Sequence, residues 1–144
     1  MSLPSGRRLA IDYGQVRTGI AISDLLGMFA SPLETITTDA ISQRINELAR
    51  EFEIQTIYIG LPSHLSGNEG ASAGLARTFA ISLKSLGIAP VFLVDERLST
   101  KSANQSKELV EKFGVDAVAA AEILDLALAG ERNTGKRFGE EVNE

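Results

Sequence analysis

The beginning of the fold is decided by one stretch of sequence, Leu9-Ala-Ile-Asp-Tyr-Gly-Gln-Val-Arg-Thr-Gly-Ile-Ala-Ile-Ser-Asp24. It holds two short apolar runs, residues 9–12 and 18–23, on either side of a turn that contains glycine. Short β-favouring runs with so short a connection predict antiparallel strands, and a third run at about residues 30–36 extends them to a meander. Pro32 cannot donate a ladder hydrogen bond, so we expect the third strand at a sheet edge.

Beyond residue 39 the pattern changes to helices that alternate with strands. Apolar residues at positions 41, 45, 48, 49 and 52 have helical spacing and predict the first helix. Two buried strands follow at residues 56–59 and 91–94 with a helix between them, and two more helices end the order, the last at about residues 115–129. Strands separated by helices pair in parallel through right-handed crossovers. The sequence therefore predicts an α/β fold with a five-stranded mixed sheet, three antiparallel strands and then two parallel ones.

The composition fits one folded domain with two polar ends. A chain of 144 residues with 44% hydrophobic composition can bury a single core. We predict an N-terminal extension at residues 1–7, one domain at residues 8–130, and a charged tail at residues 131–144 whose low apolar content predicts disorder. No run approaches the roughly 20 apolar residues of a membrane span, and the N-terminus lacks the apolar core of a secretion signal. We therefore expect a cytoplasmic protein that does not bind membranes.

Two counts restrict the chemistry that the chain can perform. It has no cysteine and one histidine, so a bound metal ion must rest on oxygen ligands. Its net charge of -5 speaks against a simple electrostatic nucleic-acid binder, although it leaves room for a nuclease with carboxylates at the reacting centre.

Asp12 is the first candidate for a functional residue. It lies where an apolar strand meets a turn, and Gly14 lets the backbone approach a ligand closely, which suits a metal ion or a phosphate. An aspartate that closes a β-turn with its own backbone explains the same residues about equally well. Arg17, in the same turn, either binds a phosphate or pairs with a carboxylate.

Two further carboxylate positions follow strand or helix boundaries. Asp95 and Glu96 come directly after an apolar run, and because successive strand residues face opposite sides, one of the two is expected to face a site. The sequence does not decide which. Asp116 lies in the first turn of the last helix, on its inward face, although an aspartate there also satisfies free amides and the helix dipole.

The three positions are more informative together, because the ends of these elements meet at one edge of a parallel α/β sheet. Carboxylates about 5 Å apart repel by roughly 3 kcal/mol per pair at an effective dielectric near 20, so such a group needs a cation. Oxygen ligands favour Mg²⁺, with Mn²⁺ as an alternative, and a metal pair about 4 Å apart could activate water for phosphodiester cleavage.

The polar loop 63–70 has two interpretations of its own. His64 could act as a general base or contact a phosphate, or it could be an incidental surface histidine. The loop itself could form a flap over a long substrate or be a plain surface loop.

Four ordered blocks between residues 8 and 130 resemble the YqgF family of pre-16S ribosomal RNA nucleases and Holliday-junction resolvases. Any single block would be weak, but their combination is specific. The blocks are Ala10-Ile-Asp-Tyr-Gly-Gln-Val-Arg-Thr-Gly19 with Ser23-Asp24; Ile59-Gly-Leu-Pro62 with Gly67-Asn-Glu-Gly70 and Phe79-Ala80; Asp95-Glu-Arg-Leu-Ser-Thr100 with Ala103; and Asp116-Ala-Val-Ala-Ala120 with Ile123-Leu124.

The resemblance implies a ribonuclease-H-like fold with sheet order 3-2-1-4-5 and magnesium-dependent maturation of the 5′ end of 16S ribosomal RNA. It implies Asp12, Glu96 and Asp116 as catalytic metal ligands, with Glu96 reaching across from the neighbouring strand because the fourth strand ends without a carboxylate. We expect substrate contacts from Gly14, Arg17, Arg97 and Thr100. The expected partners are precursor ribosomal RNA or branched DNA, together with the small-subunit precursor, and the expected state is a monomer or weak homodimer.

Three other functions have some support in the sequence. A Holliday-junction resolvase would use the same chemistry on four-way DNA, and a non-catalytic module would bind nucleic acid with the same fold. The segment around Asp12 also resembles the first phosphate loop of actin-like ATPases, but those proteins need two lobes and this chain has room for one.

Overall fold

The computed structural model describes residues 3–62, 70–98 and 106–143. Within those ranges, six strands form one sheet in the order β3-β2-β1-β4-β5-β6. The strands are β1 (Arg7–Asp12), β2 (Arg17–Ser23), β3 (Ala30–Thr37), β4 (Ile54–Leu61), β5 (Val91–Asp95) and β6 (Glu140–Glu141). The α-helices are α1 (Ile41–Glu51), α2 (Ala71–Lys84), α3 (Lys107–Phe113) and α4 (Val115–Thr134), with single 3₁₀ turns at Thr38–Ala40 and Glu96–Leu98.

The strand pairing confirms the predicted topology. Strands β1, β2 and β3 pair antiparallel, whereas β4 pairs parallel with β1 and β5 pairs parallel with β4. As Pro32 predicted, β3 lies at an edge of the sheet. The register between β2 and β3 shifts there, because Ile20 pairs with Glu34 and Ala21 with Pro32, which leaves one extra residue on β3.

Side-chain alternation divides the interior into two cores, one on each face of the sheet. Leu9 and Ile11 of β1 belong to the core that α1 and α2 cover. Ala10 and Ala21 belong to the core that α4 covers. Small residues on that face let α4 approach the strands closely, and this approach determines the geometry at the end of β1.

The C-terminal segment corrects the prediction of a disordered tail. Helix α4 continues to Thr134, and β6 pairs antiparallel with β5, so the sheet has six strands instead of five. Two apolar residues of the segment are responsible. Val142 is 6% exposed. Phe138 packs so tightly on Gly130 that a methyl group on Gly130 would overlap the ring. This burial offsets the entropy of ordering a short polar chain.

A buried ion pair joins the tail end of α4 to the sheet. The Arg8 guanidinium lies 2.9 Å from Glu131 Oε1, and both side chains are 5% exposed. The Tyr58 hydroxyl donates to the second carboxylate oxygen, and the Phe138 amide donates to the Tyr58 hydroxyl at 3.2 Å. Burial and the bond to Glu131 raise the pKa of Tyr58 well above its usual range. In the described part of the chain, no helix is long and apolar enough to cross a bilayer.

Candidate active site

The structure brings the three predicted acids to one edge of the sheet, on the face that α4 covers. Asp12 is the last residue of β1, and its Cα partner on β2 is Gly19. On the other side of β1, Ile11 pairs with Ile59, which places the next residue of β4, Gly60, beside Asp12. Asp12 therefore lies between two glycines, each of which contacts one of the other acids.

Gly19 contacts Asp116. A methyl group at Gly19 would overlap the backbone carbonyl of Asp116 and the amide of Ala117. The absence of a side chain at this position therefore lets the first turn of α4 rest on β2, directly opposite Asp12. Any side chain on Gly19 would push Asp116 away from the sheet edge.

Gly60 contacts Glu96. A Cβ at Gly60 would lie 2.8 Å from Glu96 Oε1 and 3.2 Å from Glu96 Cγ. Glu96 begins the 3₁₀ turn after β5, so its side chain reaches over the neighbouring strand toward β1. This is the reach that the resemblance required of it.

Asp95 lies on the other side and has a different partner. Its carboxylate accepts the Arg97 amide at 2.9 Å and the Arg97 guanidinium at 2.6 Å. It pairs in register with Leu61, which belongs to the core under α1 and α2. Of the adjacent acids, Glu96 is thus the one on the α4 face, and the predicted substrate residue Arg97 is engaged with Asp95.

Arg17 pairs with Asp116 across the sheet edge. Its Nε donates to Asp116 Oδ2 at 3.4 Å, and the two side chains are 66% and 26% exposed. Of the two interpretations that the sequence left open for Arg17, the structure shows the carboxylate pair. The pair is long and solvated, so water screens it.

The turn after Asp12 is held from two directions. At Gly14, a methyl group would overlap the carbonyl of Arg17, so only glycine fits this turn. The Thr38 hydroxyl donates to the Gly14 carbonyl at 2.5 Å, and the Tyr13 ring stacks on Phe79 of α2 with centroids 4.5 Å apart. Gly14 thus presents backbone at a fixed position next to Asp12.

Thr35 is a residue that the sequence reading missed. Its hydroxyl donates to the carbonyl of Phe113, the last residue of α3, at 2.7 Å, and accepts the amide of Ala117 in α4 at 3.1 Å. A threonine in a strand is ordinary, and its partners lie about eighty residues further along the chain. No local signal in the sequence could have indicated this contact.

The donor set fits a hard divalent cation in kind. All three candidates offer carboxylate oxygens, and the lack of side chains at Gly19 and Gly60 lets Asp116 and Glu96 lie close to the two strands that flank Asp12. The side chains themselves are not gathered: among the residues that the structure describes, no three acids or histidines form a group able to hold a metal ion. Asp116 is paired with Arg17 instead.

Two of the predicted positions lie outside the described residues. They are Thr100, expected to contact substrate, and His64 with the rest of loop 63–69. Both stay predictions from the sequence.

Comparisons with known proteins agree with the fold and identify the family. The family model described as "RuvX: Holliday junction resolvase" matches residues 6–130. The chain is 38% identical to "Putative pre-16S rRNA nuclease" of Streptomyces avermitilis, with 99% of this chain and 97% of that protein aligned. It is 42% identical to the protein of the same name from Leifsonia xyli subsp. xyli, with 96% and 95% aligned.

Among solved structures, the chain resembles Thermus thermophilus RuvC in complex with a Holliday junction substrate. The TM-score is 0.62 at 17% identity, with 92% of this chain and 99% of that chain covered. At this identity the likeness concerns the fold alone, and it confirms the predicted ribonuclease-H-like architecture.

Proposed function

The chain belongs to the RuvX family of Holliday junction resolvases, the YqgF family that its four blocks resemble, and we propose that it is a metal-dependent endonuclease for structured nucleic acid. Its proposed substrate is precursor 16S ribosomal RNA, cut at the 5′ end during maturation of the small subunit in the cytoplasm. A monomer or weak homodimer stays a prediction.

One observation supports the proposal above the others. The strand register places Asp12 between Gly19 and Gly60, and these two glycines contact Asp116 and Glu96. Three acids from distant parts of the chain therefore meet at one edge of the sheet. Carboxylates that turned toward one another at this edge would repel, and a bound cation would offset that repulsion.

We propose that Asp12, Glu96 and Asp116 hold Mg²⁺, with Mn²⁺ as an alternative. Bound there, the metal would lower the pKa of a water molecule and offset the charge that develops on the phosphate. To share one ion with Asp12, the side chains of Glu96 and Asp116 would turn inward, and Asp116 would leave Arg17.

The surrounding residues supply contacts to the substrate backbone. The Arg17 side chain is 66% exposed, so most of its N–H donors face solvent and can meet a phosphate while the Asp116 bond exchanges. Gly14, held in a turn that only glycine fits, is proposed to contact the substrate through its backbone. Arg97 and Thr100 are proposed to contact the nucleic-acid substrate further along its backbone.

The proposal is tested with Asp12→Asn, which removes one carboxylate charge at nearly constant shape. We expect cleavage of precursor 16S RNA in Mg²⁺ to fall by about 100-fold or more, the range typical for loss of one electrostatic contact to a transition state. Asp125→Asn is the matched control, because Asp125 is an exposed acid on the same helix as Asp116. Equal cleavage by the two variants would overturn the proposal.

The description of the family model favours a second candidate, cleavage of four-way DNA junctions. The same variants are therefore assayed on junction DNA beside the RNA. Faster cleavage of the junction, in two symmetric cuts by a dimer, would favour the resolvase. If the wild type binds both substrates and cuts neither, the chain is a binding module with the same fold.

A further inference from the structure

The first turn of α4 has no cap of its own. Gly114 is its N-cap residue and has no side chain, so the amide of Ala117, at the third helical position, lacks the partner that a capping serine or aspartate would provide. Asp116 lies between these two residues. Any looseness in this turn would displace its carboxylate.

The hydroxyl of Thr35, on the neighbouring strand β3, supplies the missing partner. It accepts the Ala117 amide at 3.1 Å and donates to the Phe113 carbonyl at 2.7 Å. One oxygen atom thus satisfies the end of α3 and the start of α4 together. A side chain at Gly114 would collide with this hydroxyl, so the glycine is needed for the contact.

The first turn of α4 is consequently fixed from two strands. Gly19 of β2 contacts the backbone at Asp116, and Thr35 of β3 holds the residues on either side of it. Because β2 also pairs with β1 at Asp12, the two contacts determine the position of Asp116 relative to Asp12.

We propose that Thr35 is a positioning residue for the nuclease reaction, acting through the backbone of α4 to hold Asp116 in place as a ligand. This inference rests on the proposed function, in which Asp116 binds the metal. Groups that orient a metal ligand without touching the metal commonly change metal affinity or activity by about 10–100-fold when they are removed.

The test compares Thr35→Val, which keeps the shape and removes the hydroxyl, with Thr35→Ser, which keeps the hydroxyl. Thr134→Val is the matched control at the other end of α4, where the Thr134 hydroxyl donates to the Gly130 carbonyl at 2.8 Å and accepts the Lys136 amide at 3.1 Å. Each variant is measured for Mg²⁺ binding by calorimetry, for RNA cleavage across Mg²⁺ concentrations, and for urea unfolding.

We expect Thr35→Val to weaken Mg²⁺ binding by about 10-fold or more and to shift the Mg²⁺ dependence of cleavage by the same factor. Thr35→Ser, which keeps the hydroxyl, should keep the Mg²⁺ affinity and the Mg²⁺ dependence of cleavage of the wild type. Thr134→Val should also keep both wild-type values, although it loses a hydroxyl contact. The inference is overturned if the wild type binds Mg²⁺ and Thr35→Val binds it equally well. It is also overturned if metal binding falls in both valine variants in proportion to their unfolding. A wild type that neither binds Mg²⁺ nor cleaves RNA or junction DNA would instead overturn the proposed function, and the inference with it.

Discussion

At one end of α4, Asp116 pairs with Arg17 of β2 at 3.4 Å, and at the other end Glu131 pairs with Arg8 of β1 at 2.9 Å. The two pairs have the same chemistry and involve the same helix and sheet. They differ in their contact with water: the side chains of the first are 66% and 26% exposed, whereas both side chains of the second are 5% exposed. That difference separates a pair that can exchange partners from one that cannot.

The buried pair is fully satisfied. Arg8 also donates to the carbonyls of Gly6 at 2.6 Å and Leu25 at 3.3 Å, and the Tyr58 hydroxyl donates to Glu131. Among the described residues, no buried polar side-chain atom lacks a hydrogen-bond partner. A buried charge destabilises the fold unless it is paired and fully hydrogen-bonded. The contacts at this end of α4 therefore cannot change without a large loss of stability.

The solvated pair, Arg17 with Asp116, is held weakly. Water and salt screen an exposed ion pair, so it contributes little to folding and its partners exchange at small cost. In the proposed function Asp116 binds a metal ion and Arg17 binds a phosphate, and both roles require a partner that exchanges easily. On the proposed function, the weakly paired end of the helix serves the reaction and the tightly paired end serves stability.

The largest change in the free energy of unfolding is expected at the end of α4 that carries Glu131. Glu131→Ala leaves Arg8 charged, buried and without its carboxylate, so the free energy of unfolding should fall by about 3–5 kcal/mol. Urea unfolding measures this loss. The double variant Arg8→Met/Glu131→Leu should recover only part of it: apolar residues can replace a buried pair, but the buried Tyr58 hydroxyl loses its acceptor. A loss below about 1 kcal/mol in the single variant would break the distinction between the two ends.

An intermediate effect is expected when a methyl group is added at either of two glycines in close contacts of α4, Gly19 and Gly130. In Gly19→Ala the new methyl group meets helix backbone, which cannot move aside, so we expect a loss of about 1–3 kcal/mol together with weaker Mg²⁺-dependent cleavage. In Gly130→Ala it meets the ring of Phe138, which belongs to the C-terminal segment, so we expect a loss of stability without a change in the cleavage rate of the folded protein.

Urea unfolding and cleavage rates, measured where both alanine variants are folded, check this comparison. Gly130→Ala should cleave RNA at the wild-type rate. Reduced cleavage in that variant alone would contradict the assignment of function to the other end of the helix.

The smallest effect is expected from Arg17→Gln. Its free energy of unfolding should stay within about 1 kcal/mol of the wild type, and added salt should remove even that difference. A double-mutant cycle with Asp116→Asn, followed by urea unfolding, measures the pair itself. A coupling of several kcal/mol would show that this pair is as structural as the buried one.

Sequence patterns predicted the fold well because the periods of the apolar residues differ so clearly between its two halves. They also predicted that Asp12, Asp116 and one of the adjacent acids Asp95 and Glu96 would share a sheet edge, since that follows from topology, and the family resemblance selected Glu96. They did not predict Thr35, whose partners are set by tertiary packing. They misjudged Glu131 as part of a polar tail, because its buried partner Arg8 lies at the opposite end of the sequence.

The short strand β6 has a consequence beyond the stability of the tail. It covers the outer side of β5 at Phe92 and Leu93, which would otherwise present open backbone groups. At the opposite edge, Pro32 and the extra residue on β3 interrupt the row of donors and acceptors. Neither border of the sheet offers a continuous template for another chain, so the fold is protected against edge-to-edge aggregation.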